Sequence, residues 1–286
     1  MDKFLFIAGM AKCGTTALAQ WLRSQGIAEY LIPGVKEPFI FSRGDFNSTL
    51  IKPAVNPNLW RVDASVGYAL NEKFVSNLPE TSTRIVLCFR NPWKRVWSNY
   101  RMLKLGVAEK GGFLDNYYYR CISDQYSSNQ WKVMEPFFIK ESARFMQSSI
   151  EECIDYELGF LFTHGTVPFY SILDCSRYKL ALRNMARKYS ADDLFPVSVH
   201  LLNNDDLRRN FTKKVLNYDF DTEPVAKKFS FEGSDIGEGK PDFSSVRFDR
   251  IRSIFAFEIK EFEALFPRFG ICSEFIDFDE LRENIF

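Results

Sequence analysis

The 286-residue chain lacks any stretch approaching the 18 uncharged apolar residues of a membrane span, so no transmembrane helix is expected. Its first apolar run, Phe4 to Ala8, is too short for a secretory core, and no small-residue cleavage pattern follows. Nor is there a charge surplus. Lys plus Arg and Asp plus Glu stand at 37 each, whereas a general nucleic-acid binder carries a basic excess; any anion site must therefore be local. The six cysteines, Cys13, Cys88, Cys121, Cys153, Cys175 and Cys272, form no C-x-x-C pair, which argues against a zinc ribbon or a redox motif. With no export signal they read as reduced thiols, and the expected location is the cytoplasm. Only two histidines, His164 and His200, could serve as imidazole bases.

What the chain does have is apolar residues at 46% and aromatics at 16%, 29 of them Phe, enough for a sizeable core. Lys3 to Ala8 reads as a strand buried on both faces. Gly9 to Gly14 interrupts it. Leu18, Trp21 and Leu22 then recur at helical spacing over Thr15 to Gln25, and Gly26 marks the stop. A second strand is predicted at Arg84 to Phe89, broken by Asn91-Pro92, with a helix over Trp93 to Leu105. A third is predicted at Pro196 to Leu202, preceded by a helix near Tyr178 to Tyr189. The last helix is expected from about Arg247 to Leu265, after a Gly-rich loop over Ser230 to Ser245. Strands alternating with helices predict an α/β fold: a P-loop-like central parallel sheet flanked by helices in three α/β/α layers. Residues 1–286 are read as one domain, with a mostly helical insertion around 106–165 that shapes an acceptor cleft. No internal repeat or low-complexity tract is found.

The sharpest local signal is Gly9-Met10-Ala11-Lys12-Cys13-Gly14-Thr15-Thr16. A turn between a buried strand and a helix gathers backbone N–H groups and the helix N-terminus at one point, which attracts a phosphate or sulfate. Lys12 adds a full charge, and Thr15 and Thr16 add hydroxyl donors. The spacing is close to a Walker A loop without being one: Thr15 stands where that motif has Lys, and Lys12 lies two residues before Gly14. A Mg-nucleoside triphosphate needs the Walker lysine and a metal-binding Ser/Thr. A 5'-phosphosulfate needs neither, and no metal is expected.

This segment resembles the 5'-phosphosulfate-binding loop of the PAPS-dependent sulfotransferases (PAPS is 3'-phosphoadenosine-5'-phosphosulfate). Arg90 and Ser98 in RNPWKRVWS resemble the family's 3'-phosphate-binding motif, an Arg at a strand end and a Ser on the next helix. A guanidinium fork and a hydroxyl suit the phosphate that separates PAPS from ATP. Gly237 to Lys240 (GEGK) is similar to the family's loop that closes over that phosphate, which makes Gly239 and Lys240 donor contacts. By the same resemblance Lys12, Cys13, Gly14, Thr15 and Thr16 hold the 5' end.

Val35-Lys36-Glu37-Pro38-Phe39-Ile40-Phe41 resembles the K-E-x-x-F-F element of the carbohydrate sulfotransferases, whose Glu acts as base. Aromatics flanking Glu37 would strip it partly of water. The middle-segment His of the aryl and steroid branch has no counterpart. His200, inside its predicted strand, reads as a packed core residue, and His164 falls in a loop. Val62 to Tyr68 is similar to the family's E-K-[ST]-P-x-Y segment but carries Ala64 for the catalytic Lys and Val66 for Pro. Lys36 or another cation then has to do that Lys's work, while Ser65 remains a contact to donor or acceptor.

The resemblance implies transfer of a sulfuryl group from PAPS, with PAP as product, to a hydroxyl or amine of a carbohydrate or glycolipid. It assigns catalysis to Lys12, Lys36 and Glu37, and acceptor contacts to Lys36 and Ser65. Tyr117, Tyr118, Tyr119, Tyr126 and Trp131 suit sugar stacking and core packing equally. Two rivals stay open: an inactive PAP-binding protein of the same fold, and a P-loop kinase of a small molecule.

Overall fold

The structure, a computed structural model, describes residues 2–42, 51, 56–70, 72–80, 82–109, 144–145, 147–164, 172–219 and 239–286. Among these, five strands form one sheet: β1 (Lys3–Ile7), β2 (Ala28–Tyr30), β3 (Trp60–Asp63), β4 (Thr83–Phe89) and β5 (Leu194–Ser198). The order is β2-β3-β1-β4-β5 and every pairing is parallel. Flanking helices complete an α/β fold: α1 (Thr15–Ser24), α2 (Glu72–Asn77), α3 (Pro92–Glu109), α4 (Ile150–His164), α5 (Tyr178–Ala186), α6 (Asp205–Leu216), α7 (Asp249–Glu263), α8 (Leu265–Phe269) and α9 (Phe278–Arg282). All residues of β3 and β5 and nearly all of β4 are buried, so both faces of the sheet are covered.

The connections decide where a ligand can sit. The chain leaves β1 for β2 and returns to β3 on one side of β1, then crosses to β4 and β5 on the other. In open α/β sheets such a reversal opens a crevice at the carboxyl ends of the strands. Register lines those ends up: Phe6 lies opposite both Asp63 and Ile85, and Phe89 lies opposite Ser198. The turn after β1, the segment after β3 and the Arg90 turn after β4 therefore emerge on one edge.

The first two predicted strands and their following helices are present with ends shifted by a few residues. The third needs correction. The strand begins at Leu194 and stops at Ser198, and Val199–Asn203 form a 3-10 turn. The reason lies in the neighbour: β4 ends opposite Ser198, and Asn91-Pro92 turn the chain into α3, so no ladder partner remains. His200 is consequently not a packed core residue. Its side chain is 45% exposed, with Nδ1 4.0 Å from Asp277 Oδ2. His164 is the last residue of a helix rather than part of a loop.

Charge hid β3 from a pattern reading: Arg61 and Asp63 occupy two of its four positions, both buried. Arg61 is held through Nη1 by Asp2 at 2.8 Å and through Nη2 by the Leu31 carbonyl at 3.0 Å. Most of the expected 106–165 insertion lies outside the described residues, as do Tyr117, Tyr118, Tyr119, Tyr126 and Trp131; α4 is the helical part that is described. No helix among the described residues is long and apolar enough to cross a membrane.

Candidate functional site

The turn after β1 is shaped by two backbone requirements. At Gly9 the chain runs so close to β4 that an added Cβ would lie 2.7 Å from the Cys88 backbone nitrogen and Cβ. Ala8 N–H donates to the Val86 carbonyl at 2.9 Å and Gly67 N–H donates to the Gly9 carbonyl at 3.3 Å, locking the turn between its neighbours. At Gly14, the residue that caps the start of α1, φ is +84°, the left-handed region glycine tolerates. Lys12 also has positive φ, 69°, an uncommon conformation for a residue with a Cβ.

This path leaves groups available to an anion. The amides of Gly14, Thr15 and Thr16 have no hydrogen-bond partner among the described residues, as expected of a helix start. They carry the positive end of the α1 dipole. Cys13 differs: its N–H donates to the Met10 carbonyl at 3.2 Å and its side chain is fully buried. Burial pushes the thiol up to about 12, so it stays a neutral packing group.

Next to the turn lies the 36–41 loop, held by the residues after β3. Ala64 N–H donates to the Lys36 carbonyl at 3.0 Å, and Phe39 N–H donates to Ser65 Oγ at 3.0 Å. Ser65 is fully buried, and its own N–H donates to Asp63 Oδ1 at 2.9 Å. Tyr68 Oη donates to Asp63 Oδ2 at 3.0 Å. Burial raises the Asp63 carboxyl to about 6, against the opposing pull of these hydrogen bonds. The Lys36 ammonium donates to Thr15 Oγ1 at 3.3 Å and pairs with the Glu37 carboxylate, so one side chain joins the loop to the cradle.

Arg90 approaches from β4. Its Nη1 donates to the Lys12 carbonyl at 3.4 Å, and Tyr178 Oη donates to the Arg90 carbonyl at 2.5 Å. Ser98 follows on α3, half-buried. Gly239 and Lys240 are exposed, with no contact to the cradle among the described residues; Gly237 and Glu238 lie outside those residues. Three positions beyond Lys240, Phe243 stacks on Trp93 with ring centroids 4.6 Å apart. That stack fastens the end of the loop to the first turn of α3, the turn that follows Arg90.

Lys12, Thr15, Lys36, Glu37 and Arg90 thus converge at the carboxyl ends of the strands. Burial lowers the Lys12 amine to about 8, with Arg90 and then Lys36 adding like-charge repulsion, while Glu37 acts in the opposite direction. Three cations facing one carboxylate form a site whose electrostatics favour an added anion. Among the described residues no group of three or more His, Cys, Asp or Glu could hold a metal ion. The pattern reading missed Asn91, Tyr178 and Glu280 as supports of the Arg90 turn. Tyr178 and Glu280 are remote in sequence and carry no local signal; Asn91 reads there only as a strand breaker.

No protein-family model matches this chain, and no curated protein matches it. Among solved structures it is similar to a sulfotransferase from Alicyclobacillus acidocaldarius, at 18% identity and a TM-score of 0.58, over 93% of this chain and 95% of that one. At that identity the likeness bears on the fold alone, which is the fold of a sulfotransferase.

Proposed function

We propose that this protein is a PAPS-dependent sulfotransferase acting on a hydroxyl or amine of a carbohydrate or glycolipid. The observation that carries the proposal is the convergence of Lys12, Thr15, Lys36, Glu37 and Arg90 around amides left open at a helix start. The residues fit the donor. The Gly14, Thr15 and Thr16 amides and the Lys12 ammonium suit a 5'-phosphosulfate, and Arg90 with Ser98 suits a 3'-phosphate. Lys240 is a candidate second cation for that phosphate, three residues before Phe243, whose ring stacks on Trp93 of α3.

Bound PAPS supplies an activated sulfuryl group, which passes to the acceptor oxygen or nitrogen as the bond to the 5'-phosphate oxygen breaks. Lys12 and the first-turn amides neutralise the charge that grows on that phosphate oxygen. Glu37, paired with Lys36, takes the acceptor's proton. The position of Ala64 bears on Lys36. Its side chain is buried and its N–H is bonded to the Lys36 carbonyl, so Lys36 reaches the cradle from the place next to it. This supports Lys36 as the cation that stands in for the missing family Lys. Ser65 acts from beneath, through its hydrogen bond to Phe39, rather than by exposing its hydroxyl.

A P-loop kinase is the rival with a discriminating feature: it requires a lysine at position 15, where Thr stands. Thermal unfolding with PAP and with Mg-ATP tests the reading. PAP at 100 times its Kd should stabilise the protein by about 2.7 kcal/mol, with a clear rise in Tm. Stabilisation by Mg-ATP and none by PAP would overturn the proposal. Transfer from labelled PAPS to glycan and glycolipid acceptors then separates an active enzyme from a binding protein of the same fold.

A further inference from the structure

The peptide unit that follows Arg90 is gripped on both edges by side chains from distant parts of the chain. Its carbonyl, that of Arg90, accepts from Tyr178 Oη at 2.5 Å. Its N–H, that of Asn91, donates to both carboxylate oxygens of Glu280 at 3.2 Å. Holding both edges of that unit fixes the backbone rotation at the Arg90 Cα, and with it the direction in which the guanidinium leaves the chain.

The same C-terminal turn is bound further through Asn91, which is almost fully buried. Asn91 Nδ2 donates to the carbonyls of Glu280 at 3.2 Å, Leu281 at 3.3 Å and Glu283 at 2.8 Å. Asn91 Oδ1 meanwhile accepts from Lys94 N–H at 3.0 Å and caps α3. The turn is itself anchored. Arg282 makes a two-pronged pair with Glu263 on α7, Nε to Oε1 at 2.9 Å and Nη2 to Oε2 at 2.6 Å. Asp277 N–H donates to Ser198 Oγ at 3.2 Å, and Ser198 N–H donates to the Phe275 carbonyl at 2.9 Å, tying the approach to this turn to the end of β5.

A simple helix start needs only the Asn91 cap. It does not need a half-buried carboxylate on the preceding peptide unit or a tyrosine hydroxyl on its other edge. We infer that Glu280 and Tyr178 are positioning residues for Arg90, and that preference for nucleotides bearing a 3'-phosphate depends on this clamp. The inference rests on the donor reading above, because it takes Arg90 as the 3'-phosphate contact. Glu280 touches no ligand in this scheme. Its carboxylate adds negative charge near Arg90, so its value lies in geometry and not in attraction.

The test compares the affinities of the full-length protein for adenosine 3',5'-bisphosphate and adenosine 5'-monophosphate by calorimetry. In Glu280→Ala the bisphosphate should lose about tenfold, the worth of roughly one well-placed hydrogen bond, while the monophosphate changes less than about twofold. Glu280→Gln keeps an acceptor for Asn91 N–H and should restore the preference. Tyr178→Phe keeps the ring that packs on Phe89 and Phe262 and removes only the hydroxyl, so it provides the same readout should Glu280→Ala fold poorly. An unchanged ratio in both Glu280→Ala and Tyr178→Phe, or an equal loss for the two nucleotides, overturns the inference while leaving the donor reading intact. A wild-type protein without any preference for the bisphosphate overturns the donor reading, and this inference with it.

Discussion

Around residues 9–16 the backbone itself carries the geometry: a close approach at Gly9, positive φ at Lys12 and Gly14, and amides left open at the start of α1. Around residues 36–41 and 63–68 side chains carry it, through Ser65 on Phe39, Tyr68 on Asp63 and Lys36 on Glu37. The first arrangement is rigid before any ligand arrives, because a peptide path between three strands has few alternatives. The second is a stack of separate hydrogen bonds, each exchangeable. That division suits a transferase that takes one donor in a fixed pose and adjusts its other half to an acceptor.

Breaking the donor half should have the larger effect. Lys12→Ala removes the one charged side chain of the cradle, at the point where charge grows during transfer. Turnover should fall by about 10³-fold, the upper range for loss of a single stabilising group. Because Arg90 and the amides remain, PAP should still bind, more weakly. Single-turnover transfer from labelled PAPS, with PAP titrations alongside, measures both. A variant with near-normal turnover would place the chemistry elsewhere.

Glu37→Gln probes the acceptor half. The amide keeps the shape and a contact to Lys36 but cannot take a proton, so the acceptor step should slow by about 10²-fold. PAP affinity should shift less than about threefold. Full activity on the true acceptor rules out Glu37 as the base, and a large loss of PAP binding would mean that the Lys36–Glu37 pair belongs to the donor half instead.

The same division explains what could be read from the chain. Glycine spacing reports backbone constraints directly, so the strand–turn–helix of residues 3–24 and the place of Lys12 were legible from residue order. Arg90 was legible as a charge at a strand end. β3 was not, since Arg61 and Asp63 break its apolar pattern: Arg61 is held by Asp2 and Leu31, remote in sequence, and Asp63 by Ser65 and Tyr68 just beyond the strand. His200 misled for the opposite reason: its neighbours are apolar, but the ladder it would join ends at Ser198. The Lys36–Thr15 contact spans 21 residues, and the Glu280–Asn91 contact spans 189. No local pattern encodes either.

A pH titration sharpens the comparison with the smallest effect, since the two halves change charge on opposite sides of neutrality. Asp63 in the acceptor half ionises near 6, and Lys12 in the donor half loses its proton near 8. The sign for Lys12 runs against alkali. A bound phosphate stabilises the ammonium, so the Lys12 pKa rises in the complex, and binding favours the protonated protein. PAP affinity should be full below the free value of about 8 and decline as pH rises through it. At pH 9 about nine-tenths of the free protein carries a neutral Lys12, which predicts a loss of about tenfold relative to pH 7. The phosphates of PAP do not confuse the reading, because their second ionisation, near 6, is largely complete by pH 7. Lys12→Arg replaces the amine with a group that stays charged throughout, and its affinity should hold level from pH 7 to 9. Parallel declines in the wild type and in Lys12→Arg would assign the titration to another group and detach Lys12 from the phosphate; a decline in the wild type alone ties that ammonium to the ligand.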